Sequence, residues 1–206
     1  MDPKNVVRDG YDRVSYAYRM GDRGAGTDDY ASWVDGLCGG LGPSPHFLDL
    51  GCGCGIPVGR LLASRGQVTG VDISPVQVDR ARALVPGGRF ICEDMCSVGF
   101  AAGSFAAVTS FYAIIHVPVE EQPPLFGRIR GWLVPGGVFV GTLGRVAWTG
   151  TESDWLGIEG ATMYWSHADA KTYRRWLEEA GFEVLSEEFV PEGDVGHQLF
   201  YAKRIG

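Results

Sequence analysis

No stretch of this 206-residue chain approaches the roughly 20 consecutive apolar residues that a membrane-spanning helix needs, so no membrane partner is expected. The opening residues, MDPKNVVRDGYDR, lack the apolar core of a secretory leader, which points to a cytoplasmic protein. Basic residues are outnumbered: 18 Lys and Arg against 25 Asp and Glu give a net charge of −7. With no basic tract either, a nucleic-acid partner is not expected. Cysteine is scarce, at Cys38, Cys52, Cys54, Cys92 and Cys96, as suits a reducing compartment. Cys52-x-Cys54 and Cys92-x3-Cys96 could supply four zinc ligands. Each pair falls in an element explained otherwise below, so they are read as small buried thiols and no metal is expected. There is no internal repeat and no low-complexity segment. Apolar content of 45% and charged content of 21% are ordinary for a soluble domain, and residues 1–206 are read as one.

What the chain does have is FLDLGCGCG at 47–55. A short apolar run ends in Asp49 and passes into Gly51, Gly53 and Gly55, and the spacing of Val58, Leu61 and Leu62 then predicts a helix. Strand, glycine turn and helix make a nucleotide-type site, because glycines let the backbone approach a ligand and a helix start offers free N–H groups. A second strand, QVTGVD, ends in Asp72 about 20 residues after Gly51, the distance at which a βαβ unit sets a carboxylate on a ribose.

Before the first strand, Val7, Tyr11, Val14 and Tyr18 share one helical face, and Tyr30, Trp33, Val34 and Leu37 another, with Thr27 as N-cap and Asp28 and Asp29 in its first turn. Residues 21–26 (GDRGAG) read as a flexible joint, and 1–40 as an N-terminal helical cap. Strands are then expected near 46–50, 67–72, 89–93, 105–111 and 137–143. Helices are expected near 56–65, 75–84, 122–133 and 168–180. VPGG at 134–137 should break the chain before the fifth strand. Ser166 should cap the last helix, with Asp169 three residues on and Gly181 as its stop. Two further strand-like runs, 183–190 and 197–204, are joined by a link too short for a crossover and must pair as a hairpin. The fold expected is α/β: a Rossmann-like doubly wound sheet of seven strands, mostly parallel, ending in an antiparallel hairpin.

These residues resemble a class I S-adenosylmethionine-dependent methyltransferase of the compact, small-molecule type. The resemblance rests on DLGCGCG (49–55), VTGVDIS (68–74), ICEDM (91–95), SFAAVTSFYAIIHVP (104–118) and LVPGGVFVGTLG (133–144). A dinucleotide dehydrogenase would need glycine where Ile56 stands. The resemblance implies S-adenosyl-L-methionine as cofactor and S-adenosyl-L-homocysteine as product. It further implies that Asp49, Gly51 and Gly53 hold the methionine moiety, that Asp72 accepts the ribose hydroxyls and that Ile73 lies against the adenine. Asp94 would take the adenine amino group beside Met95, and Phe111 would stand near the methyl group. Tyr11 and Tyr18 are similar to the cap that closes over the cofactor. Glu93 replaces a common glycine, so Glu93 and Asp94 could exchange roles. Ala106 replaces a common acid, so catalysis is not assigned there.

Ligands of open α/β sheets sit above the carboxyl ends of the strands. That rule puts His46 on the wrong edge and brings His116, His167 and His197 to the right one as candidates for substrate contact or proton transfer. Residues 145–166 read as a mobile aromatic insertion (144–166 at its widest), with Trp155, Tyr164 and Trp165, together with Tyr112, shaping an acceptor pocket. Asp154 and Asp194 would orient a histidine or a polar substrate group. The expected function is methyl transfer to oxygen or nitrogen of a small organic molecule, a specialised metabolite by class. The alternative is an S-adenosylmethionine-binding protein that catalyses a non-methylating rearrangement or serves as a partner subunit. A protein or nucleic-acid methyltransferase is disfavoured, since Phe111-Tyr112-Ala113-Ile114 stands where an Asn-Pro-Pro-Tyr clamp would be. The acceptor and the oligomeric state are not specified by the sequence.

Overall fold

The computed structural model describes residues 2–20, 27–193 and 195–206. The joint at 21–26, the capping side chains of Thr27 and Asp28, and Asp194 lie outside that description. Helix α1 (Pro3–Tyr18) starts where Asp2 accepts the Lys4 N–H at 2.9 Å, with Pro3 in the first turn, where a missing N–H costs nothing. Helix α2 (Thr27–Cys38) buries Tyr30, Trp33, Val34 and Leu37, the face expected from their spacing.

The alternation of strands and helices then runs β1 (His46–Leu50), α3 (Val58–Ala63), β2 (Gln67–Asp72), α4 (Pro75–Leu84), β3 (Arg89–Cys92), β4 (Phe105–Ser110), α5 (Gln122–Trp132) and β5 (Leu133–Gly144). A ribbon of β6 (Trp148–Glu152) and β7 (Met163–His167) follows, then α6 (Ala170–Glu179), β8 (Phe182–Glu192) and β9 (Val195–Arg204). The main sheet has seven strands in the order β3-β2-β1-β4-β5-β9-β8. It is parallel through β5, and β9 and β8 close it antiparallel. Order reverses between β1 and β4, which opens a crevice at their carboxyl ends.

Period-2 alternation sorts the core into two layers. Leu48, Leu50, Val108, Phe139 and Phe200 face α5 and α6, while Phe47, Ala107, Val140 and Leu199 face α2 and α3. Both faces of the central strands are buried, as a parallel sheet covered by helices requires.

The structure corrects four local readings. Residues 145–166 are not a loop: β6 and β7 pair antiparallel, Trp148 opposite His167 and Gly150 opposite Trp165. The short strands WTGTE and MYWSH are masked in sequence by the turn between them, where Asp154, Leu156, Gly157 and Gly160 all have positive φ. Asp154 Oδ1 accepts the Gly160 N–H at 2.7 Å and so braces that turn instead of a histidine. Asp169 caps α6, accepting the Thr172 N–H at 2.7 Å, while Ser166 is buried in β7 and accepts the Val119 N–H at 3.0 Å. VPGG does not end pairing; β5 runs through it with a register shift opposite Phe105 and Ala107, helped by Gly136 at φ +77°.

The ribbon fastens α1 to the sheet. Val7 and Val14 pack on Trp155, Ala161 and Met163. Gly10 permits the approach, because a Cβ there would press into the Thr162 carbonyl.

Candidate active site

The crevice between β1 and β4 is a cleft walled by the glycine turn, the ends of β2 and β4, and α1. Gly51 leaves β1 at φ +72°, and a Cβ there would collide with Ala113. Its N–H and that of Cys52 donate to the Val71 carbonyl at 2.8 and 3.0 Å, so the turn is pinned to β2.

Asp49, Asp72, Glu93 and Asp94 line this cleft, and the first two are the most buried. Asp49 Oδ1 accepts the Thr109 hydroxyl at 2.8 Å, but Oδ2 is buried with no hydrogen-bond partner among the described residues. Burial pushes Asp49 up to about 7, against the Thr109 hydrogen bond and with a further rise from the Asp72 charge. Asp72 accepts the Gly53 N–H at 2.8 Å and the Ser74 N–H at 2.9 Å. Burial raises it to about 6, and these two amides oppose the rise. An unpaired buried carboxylate oxygen is costly in the absence of a cation, so the cleft floor favours one.

The three candidate histidines part company. His116 is buried in the cleft wall; its Nδ1 meets the Tyr164 carbonyl at 2.7 Å and its Nε2 the Tyr11 hydroxyl at 3.0 Å. A carbonyl only accepts, so Nδ1 carries the hydrogen and Nε2 accepts from Tyr11. Burial lowers His116 to about 4, although the Tyr164 carbonyl favours the charged ring. The ring is therefore neutral at pH 7. His167 lies over Gly144 and against Trp148, outside the cleft wall, and burial lowers its pKa. His197 stands edge-on to Tyr112 with ring centroids 5.1 Å apart, and its Nδ1 is 3.3 Å from Glu192 Oε2, an ion-pair separation. It too is outside the wall. His46 meets Thr69 Oγ1 at 3.0 Å on the opposite edge.

The cofactor and acceptor candidates divide likewise. Tyr11, Tyr18, Ile73, Met95, Phe111 and Tyr112 line the cleft. Tyr112 holds a strained left-handed backbone, φ +55°, fixed by its N–H to Thr142 Oγ1 at 2.6 Å. Trp155 is not in the wall; it is buried against Tyr11 and Tyr18 at 5.4 and 5.7 Å between centroids. Tyr164 contributes its carbonyl, and Trp165 its ring, 4.3 Å from that of His116.

Asp94 faces its own loop and α1: Oδ1 accepts the Cys96 N–H at 2.8 Å and Oδ2 the Lys4 ammonium at 2.7 Å. Lys4 also pairs with Glu121. Burial works against the Lys4 charge, but the hydrogen bonds to Asp94 and Glu121 prevail and raise its pKa. Asp94, Cys96 and Glu121 bring ligand atoms within 4.8 Å of one another, and that ammonium already serves both acids. Lys4 escaped the sequence reading, although the seven-residue steps Lys4, Tyr11 and Tyr18 place all three on one face of α1. Arg19 and Thr109 also escaped it, for no local signal marks them.

Residues 47–137 match the model of a family described as a methyltransferase domain. A sterol 24-C-methyltransferase (ERG6B) of Gibberella zeae is 35% identical over 107 residues, which is 48% of this chain and 28% of that enzyme. The chain thus spans only 28% of that relative's length. Magnesium protoporphyrin IX methyltransferase (ChlM) of Synechocystis, solved with bound SAH, shares the fold at a TM-score of 0.73 and 21% identity, over 98% of this chain and 100% of that one. The cyclase SpnF shares it too, at 0.73 and 20%, over 97% and 95%.

Proposed function

We propose that this chain is a class I S-adenosylmethionine-dependent methyltransferase that transfers a methyl group from S-adenosyl-L-methionine to oxygen or nitrogen of a small organic molecule, a reading supported by the methyltransferase-domain match and the shared fold. The observation that carries the cofactor is Asp49 Oδ2, a buried acceptor without a partner beside a glycine turn that backbone can reach. Asp49 with Gly51 and Gly53 would hold the amino-acid end, Asp72 the ribose, and Ile73 and Met95 the adenine, with Glu93 or Asp94 at its amino group. When bound, the cofactor supplies an electrophilic methyl on a sulfonium.

The chain's own work is alignment and proton handling. Tyr11 and His116 form the one dyad in the wall whose tautomer is set: the Tyr11 hydroxyl can pass an acceptor proton to Nε2 while Nδ1–H stays on the Tyr164 carbonyl. Phe111, Tyr112 and Tyr30 give the acceptor side an aromatic surface. His167, His197, Trp155, Tyr164 and Trp165 act from behind this wall as positioning groups. Five free thiols fit a cytoplasmic setting. Among the described residues no helix is long and apolar enough to cross a membrane.

Titration calorimetry with S-adenosylhomocysteine tests the cofactor, and production of it from S-adenosylmethionine with a panel of phenols and amines tests the transfer. A second reading, cofactor binding without methyl transfer, is favoured by the low basicity of His116, whose pKa is near 4. It predicts tight binding with no turnover on any acceptor.

A further inference from the structure

We propose that Glu192, acting through the Tyr112 hydroxyl, makes the acceptor end of the cleft select neutral or cationic hydrogen-bond donors over anions. The assignment rests on the methyl-transfer reading above. Among the described residues, Ser44, Tyr112, Asp154 and Leu156 have positive φ without being glycine, and of these only Tyr112 lines the cleft. Strain kept in a cleft wall points to a use for the side chain it aims. Thr142, fully buried, fixes that backbone through its hydroxyl oxygen, which accepts the Tyr112 N–H at 2.6 Å.

The ring is held from behind by the last hairpin. β8 and β9 pair Val190 with His197 and run on to Glu192 opposite Val195. His197 packs edge-on to Tyr112, with centroids 5.1 Å apart, and its Nδ1 lies 3.3 Å from Glu192 Oε2. The same carboxylate takes the Tyr112 hydroxyl. Its bond to His197 holds Glu192 below the usual carboxylate range, against the effect of burial, so it is ionised at neutral pH and can only accept. Tyr112 is the donor, and burial keeps its phenol protonated.

A phenol has one hydrogen. With that hydrogen committed to Glu192, Tyr112 offers the cleft its lone pairs alone, backed by a carboxylate. A ligand O–H or N–H can meet them, whereas an acid would set a second anion against the same hydroxyl. No cation among the described residues lies over Tyr112 to offset this: Lys4 serves Asp94 and Glu121, and the Arg19 guanidinium lies over Tyr18 and Tyr30. Glu192 is thus a positioning residue, and the acceptor class it favours is an alcohol, a phenol or an amine.

The experiment measures dissociation constants of benzylamine, a cation at neutral pH, of benzyl alcohol and of benzoate. Ligand-observed NMR reads them on protein saturated with S-adenosylhomocysteine. Wild type, Glu192→Gln, Tyr112→Phe and Glu183→Gln are compared, with circular dichroism as the folding control. Glu183, exposed near the other end of β8, reports long-range charge alone. Wild type should bind benzylamine and benzyl alcohol about 10-fold or more tightly than benzoate. Glu192→Gln keeps an oxygen for the Tyr112 hydroxyl but removes the charge. The preference for benzylamine over benzoate should then fall to about threefold, with benzyl alcohol little changed. Tyr112→Phe should weaken benzyl alcohol about 3–10-fold. A wild type that prefers benzoate, or binds none of the three, overturns the assignment. So does a Glu192→Gln preference that moves no further than that of Glu183→Gln, or a uniform weakening of all three probes, as mere bracing of the hairpin would give. Benzyl alcohol binding unchanged in Tyr112→Phe overturns it as well. Failure of wild type to bind S-adenosylhomocysteine overturns the methyl-transfer reading instead, and the same ratios on ligand-free protein then decide the role of Glu192.

Discussion

The Tyr11 hydroxyl and His116 Nε2 are 3.0 Å apart across 105 residues of sequence, one on the first helix and the other beyond β4. The bond joins α1 to the segment beyond β4, and both residues line the cleft. His116→Asn should lower kcat about 10²–10⁴-fold, and Tyr11→Phe by a similar order, if they move the acceptor's proton. Both variants should bind S-adenosylhomocysteine within about threefold of wild type by calorimetry.

The two raised carboxylates set a pH dependence of stability. Asp49 rises from 3.8 to about 7 on folding, so the folded state binds more protons than the unfolded one between those values. Its contribution is complete below the unfolded value and is lost as pH climbs through 7. His116, lowered from 6.5 to about 4, acts in reverse: its contribution is present above 6.5 and lost as pH falls through 4. Ligand-free wild type should therefore lose a few degrees of Tm between pH 6.5 and 8 relative to Asp49→Asn. Thermal melts of the pair across that range check this, and S-adenosylhomocysteine should protect wild type more at the alkaline end.

Lys4 ties α1 to Asp94 and Glu121 with side chains only partly exposed. Lys4→Ala should cost about 1–2 kcal/mol in urea unfolding. The loss should shrink in high salt, and amide exchange should speed up at the start of α1.

Gly10→Ala improves helix propensity by about 1 kcal/mol, yet its methyl enters the space of the Thr162 carbonyl. Overpacking of this kind costs about 1–3 kcal/mol, so Tm should fall by a few degrees. A Tm at or above wild type would show that α1 lifts from the ribbon without penalty.

The parallel sheet was legible because its strands are short apolar runs: FLDL closed by Gly51, QVTGVD closed by its own Asp72, and FAAVTS preceded by Gly103 and Ser104 leave few alternatives. The cap helices were legible from Val7 to Val14 and from Tyr30 to Leu37 by period alone. The β6–β7 ribbon was not, because Gly150, Glu152 and Ser166 dilute its alternation and its partner surface is α1, far away in sequence. That omission displaced the site as well. With the ribbon folded, Trp155 becomes packing for Tyr11 and Tyr18, and His167 sits over Gly144. Lys4 with Asp94 and Tyr11 with His116 are pairs 90 and 105 residues apart, and no local pattern announces such partners.

His116 has its proton position dictated by the main-chain oxygen of residue 164, which every amino acid carries. Mutational drift at 164 can therefore change the side chain there while the imidazole keeps the same lone pair turned to Tyr11. A lineage of such proteins could change what it accepts at that corner without having to reinvent how a proton is handled.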